Sequence, residues 1–331
     1  MAIACSTNCS SGCRCLEGRD SGLGIRDSQR RRAVSEGVVP SLSELVALRA
    51  AVSGRRAARQ GRHGVSGQAL SPLRGRGMEY AESREYSHGD DARHIDWRLT
   101  ARTGRAHTKL FQAERERLSL IVADTAPSLY FGTRVRFKSV QAARAGAVAA
   151  WAAVRDGDRI AALRGSLREP PVTPAAGPRG ALRVLDAMVR WYAQAPADDA
   201  GLDVALDHAA RLLRPGSRLL VLADPASVAA LPTRRWATLA QHHEVVVLLL
   251  TDPVETQPPR AMLPFSREGQ RIELDLGADE ARRRWRETFV APVEAALEQL
   301  PARGVRAQAL ATDAASESWL PLLGRARPLV A

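Results

Sequence analysis

Several features that mark other protein classes are missing from this chain of 331 residues. It has no uninterrupted run of about 18 apolar residues, so no transmembrane helix and no insertion into a membrane are expected. Residues 1–15 lack both the basic start and the apolar run of a secretory signal, which favours a cytoplasmic protein. A chain of this length is expected to form about two domains, since length divided by roughly 150 residues gives a first estimate.

Cysteine and lysine are both scarce. The four cysteines all lie within residues 5–15, so no disulfide can hold the rest of the chain together, as is usual in a reducing compartment. Their spacing does not match the two separated pairs of a structural zinc site. Lys109 and Lys138 are the only lysines among 48 basic residues, and arginine supplies the others. The sequence therefore predicts neither a disulfide framework nor a zinc site.

Positive charge is in excess and unevenly distributed. The net charge is +12, and residues 1–117, with 21 basic and 13 acidic side chains, account for +8 of it. A basic N-terminal part is compatible with nucleic-acid binding through the arginine-rich segment 54–76. That segment contains no aromatic side chain on which a base could stack, which argues against this alternative. A solvated, arginine-rich surface is the favoured interpretation.

Apolar strands alternate with helices from residue 118 onwards. The predicted strands are Leu118–Ala123, Arg159–Leu163, Arg218–Ala223, Glu244–Thr251 and Val305–Ala311. The predicted helices cover 41–52, 138–155, 180–193, 202–213, 233–242 and 279–300. Strands this apolar are buried on both faces and need helical crossovers, so we expect an α/β fold with a mostly parallel sheet flanked by helices. The usual dinucleotide, P-loop and nucleophile motifs are absent, and no catalytic residue is expected.

Three of the predicted strands are followed by an aspartate, namely Asp124, Asp224 and Asp252. In an open α/β sheet, ligands bind beyond the carboxyl ends of the strands. The Ser128 hydroxyl follows the first of these acids, and such oxygen ligands suit Mg²⁺. The alternative is that the aspartates cap helices, because proline follows both Asp224 and Asp252. Spacing alone favours capping.

A dense polar motif occupies residues 84–98. Its carboxylates Asp90, Asp91 and Asp96, together with two histidines, suggest a metal-dependent hydrolase as one alternative. Interleaved arginines would compete with a cation for these carboxylates. The favoured interpretation is a turn at residues 89–91 followed by a short helix that an aspartate caps. Such a motif would serve the structure or dock a partner.

The order of short motifs between Gly75 and Arg117 is similar to that of the domain-of-unknown-function 58 family (DUF58). The motifs are Gly75-Arg76-Gly77, Glu79-Tyr80, Arg84-Glu85-Tyr86, Gly89-Asp90-Asp91, Arg93, Ile95-Asp96-Trp97, Thr100-Ala101-Arg102 and Glu114–Arg117. Further matches are Phe131-Gly132, Phe137-Lys138-Ser139, Gly157-Asp158-Arg159 and Asp252-Pro253-Val254-Glu255. The resemblance covers about residues 40–325 and includes Asp252 and Glu255 among its signature acids.

Residues 1–39 lack hydrophobic periodicity and are rich in Ser, Gly and Arg, which predicts a disordered leader. The resemblance implies two further regions: a family-signature region over 40–117 and a Rossmann-like domain of the von Willebrand factor type A class over 118–331. Such domains hold Mg²⁺ in a metal-ion-dependent adhesion site. Asp124, Ser128 and Asp224 match three of its ligand positions, whereas Ala126 and Ala200 stand where hydroxyl ligands belong. We therefore expect a degenerate site and no cofactor, with Mg²⁺ as the ion that it would take.

The resemblance also implies a non-enzymatic adaptor that accompanies a MoxR-type AAA+ ATPase in the chaperone-like maturation of client complexes. Asp124, Ser128 and Asp224 are expected to form a partner-binding face at the carboxyl end of the sheet. The polar motif is expected to dock the ATPase or the client. Its docking residues are predicted to be Arg84, Gly89, Asp90, Asp91, Arg93, Asp96, Trp97 and Arg102.

Overall fold

A computed structural model of the chain describes residues 37–53, 78–88, 90–113, 117–267 and 270–324. The predicted leader up to residue 36, the arginine-rich segment 54–76 and Gly89 lie outside the described residues. Within these ranges the chain forms two compact units. The large unit contains residues 37–53 and 118–324, and the small unit contains residues 78–113 and Arg117.

The regular elements alternate between strand and helix through most of the chain. The strands are β1 (Met78–Glu85), β2 (His107–Ala113), β3 (Leu118–Ala123), β4 (Arg159–Arg164), β5 (Val172–Ala176), β6 (Arg218–Ala223), β7 (Glu244–Thr251), β8 (Met262–Arg267), β9 (Gln270–Asp275) and β10 (Arg306–Ala311). The α-helices are α1 (Leu42–Ala47), α2 (Arg49–Ser53), α3 (Trp97–Thr103), α4 (Lys138–Asp156), α5 (Gly177–Ala193), α6 (Gly201–Leu212), α7 (Pro225–Ala229), α8 (Thr233–His242), α9 (Pro253–Thr256), α10 (Asp279–Trp285) and α11 (Ala291–Ala302). The five predicted strands are confirmed, each to within one residue.

A six-stranded sheet forms the centre of the large unit. Its strand order is β10-β7-β6-β3-β4-β5, and every neighbouring pair is parallel except β4 and β5. The chain starts in the middle at β3, proceeds outward to β5, and then returns to the other side of β3 at β6. The predicted mixed α/β class is confirmed, and the arrangement is compatible with a Rossmann-like fold. Its topological switch point, where such folds form a crevice, lies between β3 and β6.

Two features were not expected from the sequence: an edge strand of the six-stranded sheet and a separate two-stranded sheet. Strand β5 is a short antiparallel edge strand that contains Pro174, as edge positions allow. The antiparallel hairpin of β8 and β9 follows the end of β7 and packs around Phe265 and Trp285. Both escaped prediction because neither shows a long apolar run.

Helices cover both faces of the sheet and bury its central strands, whereas the edge strands β5 and β10 stay partly exposed. One face packs against α4 and α5, and the other packs against α6, α8 and α11. Helices α1 and α2 join the first face, where Leu45 is buried and its carbonyl accepts a hydrogen bond of 3.1 Å from the Trp151 side chain. The segment 40–53, which the sequence assigned to the N-terminal region, therefore packs in the large unit because its apolar stripe covers α4.

Two predicted helices are interrupted in the structure. The helix expected over 41–52 is divided at Leu48 into α1 and α2. The helix expected over 279–300 contains a π-helical turn, Arg286–Val290, between α10 and α11. Among the helices in the described part of the chain, none has the length and apolar character required to cross a lipid bilayer.

A buried arginine neutralises the amino end of the sheet. The Arg218 guanidinium lies 3.2 Å from Asp156, 3.6 Å from Asp158 and 3.1 Å from Glu244. Arg155 and Arg306 pair with Asp156 and Glu244 respectively, so each of these two acids contacts two arginines. We call this group the Arg218 cluster, and its compensated charges fit a structural role.

The small unit is built on the antiparallel pair of β1 and β2. The segment between the two strands contains a 3-10 turn, Ala92–His94, and helix α3. Gly104 ends α3 in the left-handed region, with φ of 73°, which glycine adopts without steric cost. The predicted mixture of strand and helix is confirmed for the described part of this unit.

Candidate functional site

The structure brings Asp124 and Asp224 together at the switch point. They follow the neighbouring strands β3 and β6, and the Asp224 backbone N–H donates to a carboxylate oxygen of Asp124 over 3.0 Å. The carboxyl ends of parallel strands meet at one edge of a sheet, which explains why residues 100 positions apart are in contact.

Neither carboxylate is available to a partner. Asp124 is 2 % exposed and Asp224 is 5 % exposed, and Asp252 beyond β7 is fully buried. The expectation that Asp124 and Asp224 form a partner-binding face is therefore wrong for this conformation. The reason is that both carboxylates are buried, and a buried carboxylate is costly unless it is hydrogen-bonded. Donors of the same chain supply these hydrogen bonds.

Every oxygen of these acids, and of the nearby Glu255, accepts a hydrogen bond. Asp124 accepts from the N–H groups of Ala126 and Asp224, and Asp224 accepts from the N–H of Ala226 and from Lys138. Glu255 accepts from Lys138 and from the N–H of Asp252. Asp252 accepts from the N–H groups of Thr133 and Val254 and from the hydroxyls of Thr133 and Thr312. We call these four acids and Lys138 the strand-end cluster.

Lys138 supplies the positive charge of the strand-end cluster. Its ammonium lies 2.9 Å from an Asp224 oxygen and 2.6 Å from a Glu255 oxygen, and the side chain is almost completely buried. Burial alone would lower the pKa of this lysine, but the charges of Glu255 and Asp224 raise it above its usual value. The ammonium therefore stays protonated inside the protein.

Asp124 has an unusual pKa for an aspartate. Burial raises the pKa of its carboxyl from 3.8 to about 6, and the nearby charge of Asp224 acts in the same direction. Hydrogen bonds from the Ser227 side chain and from backbone N–H groups oppose this rise. Asp124 thus gains a proton at mildly acidic pH, and burial also raises the pKa of Glu255 against the opposing charge of Lys138.

The helix-capping alternative is confirmed for the two aspartates that precede proline. Asp224 caps α7 by accepting from the Ala226 N–H over 2.9 Å. Asp252 caps α9 in a capping box, in which Glu255 accepts from the N–H of Asp252. Such side chains satisfy the free N–H groups at the start of a helix.

The residues predicted to hold Mg²⁺ do not fit that ion. The carboxylate oxygens of Asp124 and Asp224 already have donors, and an ammonium contacts Asp224. Ser128 lies in a 3-10 turn, and its hydroxyl makes no hydrogen bond to another described residue. Within the described ranges no group of three or more His, Cys, Asp or Glu side chains is arranged to hold a metal ion.

The loop before α6 is also closed by internal contacts. Asp199 accepts from the Thr125 hydroxyl over 2.8 Å, and Asp198 accepts from Ser166 and Arg164. A Cβ on Gly165 would lie 2.1 Å from the carbonyl oxygen of Gly201, so the ends of β4 and α6 approach too closely for a larger residue. The acids beside Ala200 therefore act in the structure and supply no free ligand.

The three carboxylates of the hydrolase alternative are used separately. Asp90 pairs with Arg84 over 2.6 Å, Asp91 caps the 3-10 turn, and Asp96 caps α3 by accepting from the Leu99 N–H. The predicted turn followed by an aspartate-capped helix is confirmed, although Gly89 itself is outside the described residues. Nothing in this arrangement favours a shared metal ion.

The outer side of this motif is exposed and cationic. The Trp97 side chain at the start of α3 is 69 % exposed. Arg93, Arg98 and Arg102, which lie within five positions of Trp97 in the sequence, are also exposed, and their guanidinium groups make no hydrogen bond or ion pair with other residues that the structure describes. We call these four residues the Trp97 surface. Tryptophan and arginine are the residues most enriched at the energetic centres of protein interfaces.

Lys138 is the residue whose role the sequence did not reveal. In the sequence it stands within the family motif Phe137-Lys138-Ser139. Its rarity was a usable signal, because a lysine retained in an arginine-dominated chain suggests a place that needs a compact ammonium and not a planar guanidinium.

Comparison with known proteins gives a family without an assigned activity. The model of a family described as "Protein of unknown function DUF58" matches residues 82–295. Uncharacterized proteins of Mycobacterium bovis and Mycobacterium tuberculosis are 31% identical over 200 residues. The matched region covers 59% of this chain and 62% of each relative, so the chain spans less than two thirds of their length.

Proposed function

This chain belongs to the DUF58 family, whose function is unknown, and on that premise we propose that it is a non-enzymatic docking protein whose contact site is the Trp97 surface. The observation that carries the proposal is the exposure of Trp97 and of three arginines close to it in the sequence, which have no partner among the described residues. A large exposed aromatic side chain and unpaired guanidinium groups favour association with another protein.

The chemistry of the surface defines its partner. Three guanidinium groups select carboxylates, which they bind in a bidentate manner, and the indole ring adds a large apolar contact. The partner is therefore an acidic protein segment that includes an apolar side chain. The resemblance of the sequence to companions of MoxR-type AAA+ ATPases supports such an ATPase as the partner, with client complexes in the cytoplasm as its targets.

The large unit is not part of the proposed contact site. Its strand order, with one antiparallel edge strand, supports a von Willebrand factor type A-like identity for this unit. The acids of its strand-end cluster contribute through stability, because they are buried. A catalytic role has no support from the acids of the strand-end cluster or from Asp90, Asp91 and Asp96, all of which accept hydrogen bonds from the chain.

The test is a binding measurement between the full chain and a purified MoxR-type ATPase of the same organism, with and without nucleotide. We expect Trp97→Ala to weaken binding at least about tenfold, as for an interface hot spot. Arg98→Glu with Arg102→Glu should weaken it further, and added salt should weaken the wild-type complex.

Matched controls separate docking from net charge. Arg179 and Arg183 have the same spacing on the exposed side of α5 in the large unit, so Arg179→Glu with Arg183→Glu makes the same charge change elsewhere. Leu167 is 79 % exposed, and Leu167→Ala removes an exposed apolar side chain. Wild-type affinity in Trp97→Ala, or an equal loss in the α5 control, would contradict the docking site. Absence of wild-type binding would exclude the ATPase as partner.

A further inference from the structure

The position of Lys138 is unfavourable unless acids compensate it. Lys138 is the first residue of α4, where the N-terminus of a helix carries partial positive charge. A cation in the first turn is opposed by this field, and a buried cation also loses its hydration. Lys138 is 1 % exposed, so its charge is stable there only because Asp224 and Glu255 contact the ammonium.

The acids of the strand-end cluster depend equally on the ammonium. Asp224 and Glu255 each use one oxygen for Lys138 and the other for a backbone N–H group. Asp124 adds further negative charge through its contact with the N–H of Asp224. Among the described residues, Lys138 is the cation that contacts these carboxylates.

We propose that Lys138 is a built-in counterion that fills the switch point, so that the wild-type chain takes no divalent cation there and gains that capacity only when the ammonium is removed. Carboxylates at the end of parallel strands next to helix starts form the kind of oxygen site that suits a hard cation. In this chain the lysine provides permanent charge compensation in place of an ion. The proposal is independent of docking through the Trp97 surface.

The test compares thermal unfolding in MgCl₂, CaCl₂ or MnCl₂ with unfolding in NaCl of equal ionic strength. The wild-type melting temperature should be the same in each salt. Lys138→Met removes the ammonium at nearly constant size and should lower the melting temperature by roughly 10 °C, because it leaves buried carboxylates without a counterion. Millimolar divalent cation should restore part of this loss.

Two further variants make the result specific. Lys138→Met combined with Asp224→Asn and Glu255→Gln removes the excess charge together with the ammonium, so it should melt above Lys138→Met and show no response to divalent cations. Lys109→Met removes the other lysine of the chain, which lies in β2 of the small unit, and should show no cation response.

Titration calorimetry of the wild-type chain with MnCl₂ gives an answer that does not require a variant to fold. Absence of saturable heat supports the proposal. Saturable binding by the wild type that Asp224→Asn abolishes would overturn it. A folded Lys138→Met that melts with the wild type, or that shows no gain from any of the three cations, would overturn it as well.

Discussion

The two ends of the six-stranded sheet each hold a buried cation, but they balance charge differently. At the amino end, the Arg218 cluster sets three acids against Arg155, Arg218 and Arg306. At the carboxyl end, the strand-end cluster sets four acids against Lys138. The Arg218 cluster therefore holds as many arginines as acids, whereas the strand-end cluster holds more acids than cations.

The excess negative charge at the carboxyl end is stabilised by hydrogen bonds from backbone N–H groups and from hydroxyl groups. Asp224 and Asp252 each accept from the first turn of a helix, where N–H groups and the helix dipole favour an anion. The comparison shows that one end of the sheet is stabilised by ion pairs that compensate each other. The other end relies on fixed dipoles together with one ammonium, and it is the end where α/β sheets bind ligands.

The largest predicted effect separates the two cations. Lys138→Met should cost about 4 kcal/mol of unfolding free energy, since removing one partner of a buried pair leaves uncompensated charge. Arg218→Met should cost less, about 3 kcal/mol, because two other arginines remain beside the same acids. Urea denaturation of both variants measures the difference. A larger loss in Arg218→Met would show that charge balance does not distinguish the two ends.

A second prediction concerns the pH dependence of stability. The pKa of Asp124 at the carboxyl end is raised, whereas that of Asp156 at the amino end is lowered. The pKa of Asp124 is raised to about 6 in the folded chain. The stabilising contribution of its protonated carboxyl to the free energy of unfolding is therefore complete below pH of about 4 and is lost as the pH rises to about 6. Asp124→Asn should remove this loss, which is on the order of 3 kcal/mol for a shift of this size.

The amino end provides the matched case. Burial would raise the pKa of Asp156, but hydrogen bonds from Arg155 and Arg218 lower it below its usual value. The contribution of ionised Asp156 to the free energy of unfolding is therefore complete above its pKa in the unfolded chain. It is lost as the pH falls through its pKa in the folded chain. Asp156→Asn should reduce the loss of stability in acid and leave the slope between pH of about 4 and 6 unchanged. Equal pH profiles for the two variants would remove this distinction.

The smallest effect concerns single hydroxyl donors. Thr312→Val removes the donor that lies 2.7 Å from Asp252, and Ser119→Ala removes the donor that lies 2.7 Å from Asp158. We expect a loss of about 2 kcal/mol for the first and about 1 kcal/mol for the second, since a bond to a buried charged group is worth more where fewer charges compensate it. Differential scanning calorimetry compares the two; a greater loss in Ser119→Ala would reverse the expected order.

The sheet was predictable because the central strands are continuous apolar runs. Residues 219–222 of β6 and 245–250 of β7 contain only leucine and valine, a composition that fits strands covered on both faces. Strand β5 has no such pattern, since it lies half exposed at an edge and contains Pro174. The interruption of the last long helix at residues 286–290 does have a signal in the sequence, because Pro292 cannot donate a hydrogen bond to the carbonyl of Thr288.

The candidate site was predictable in its position and not in its chemistry. Adjacency of Asp124 and Asp224 follows from the general rule for parallel strands. Burial does not follow, because it depends on the start of α4, which lies 86 residues from Asp224 and 117 residues from Glu255 in the sequence. Contacts of this range are set by tertiary packing and leave no periodic pattern.

The exposure of Trp97 gives the protein a reporter of its own. The chain has six tryptophans, and the other five are at most 6 % exposed. A collisional quencher such as iodide therefore reaches the indole of Trp97 first, while the emission of the buried rings persists. Shielding of that quenchable fraction when a partner is added can follow complex formation by fluorescence, with no label attached to either protein.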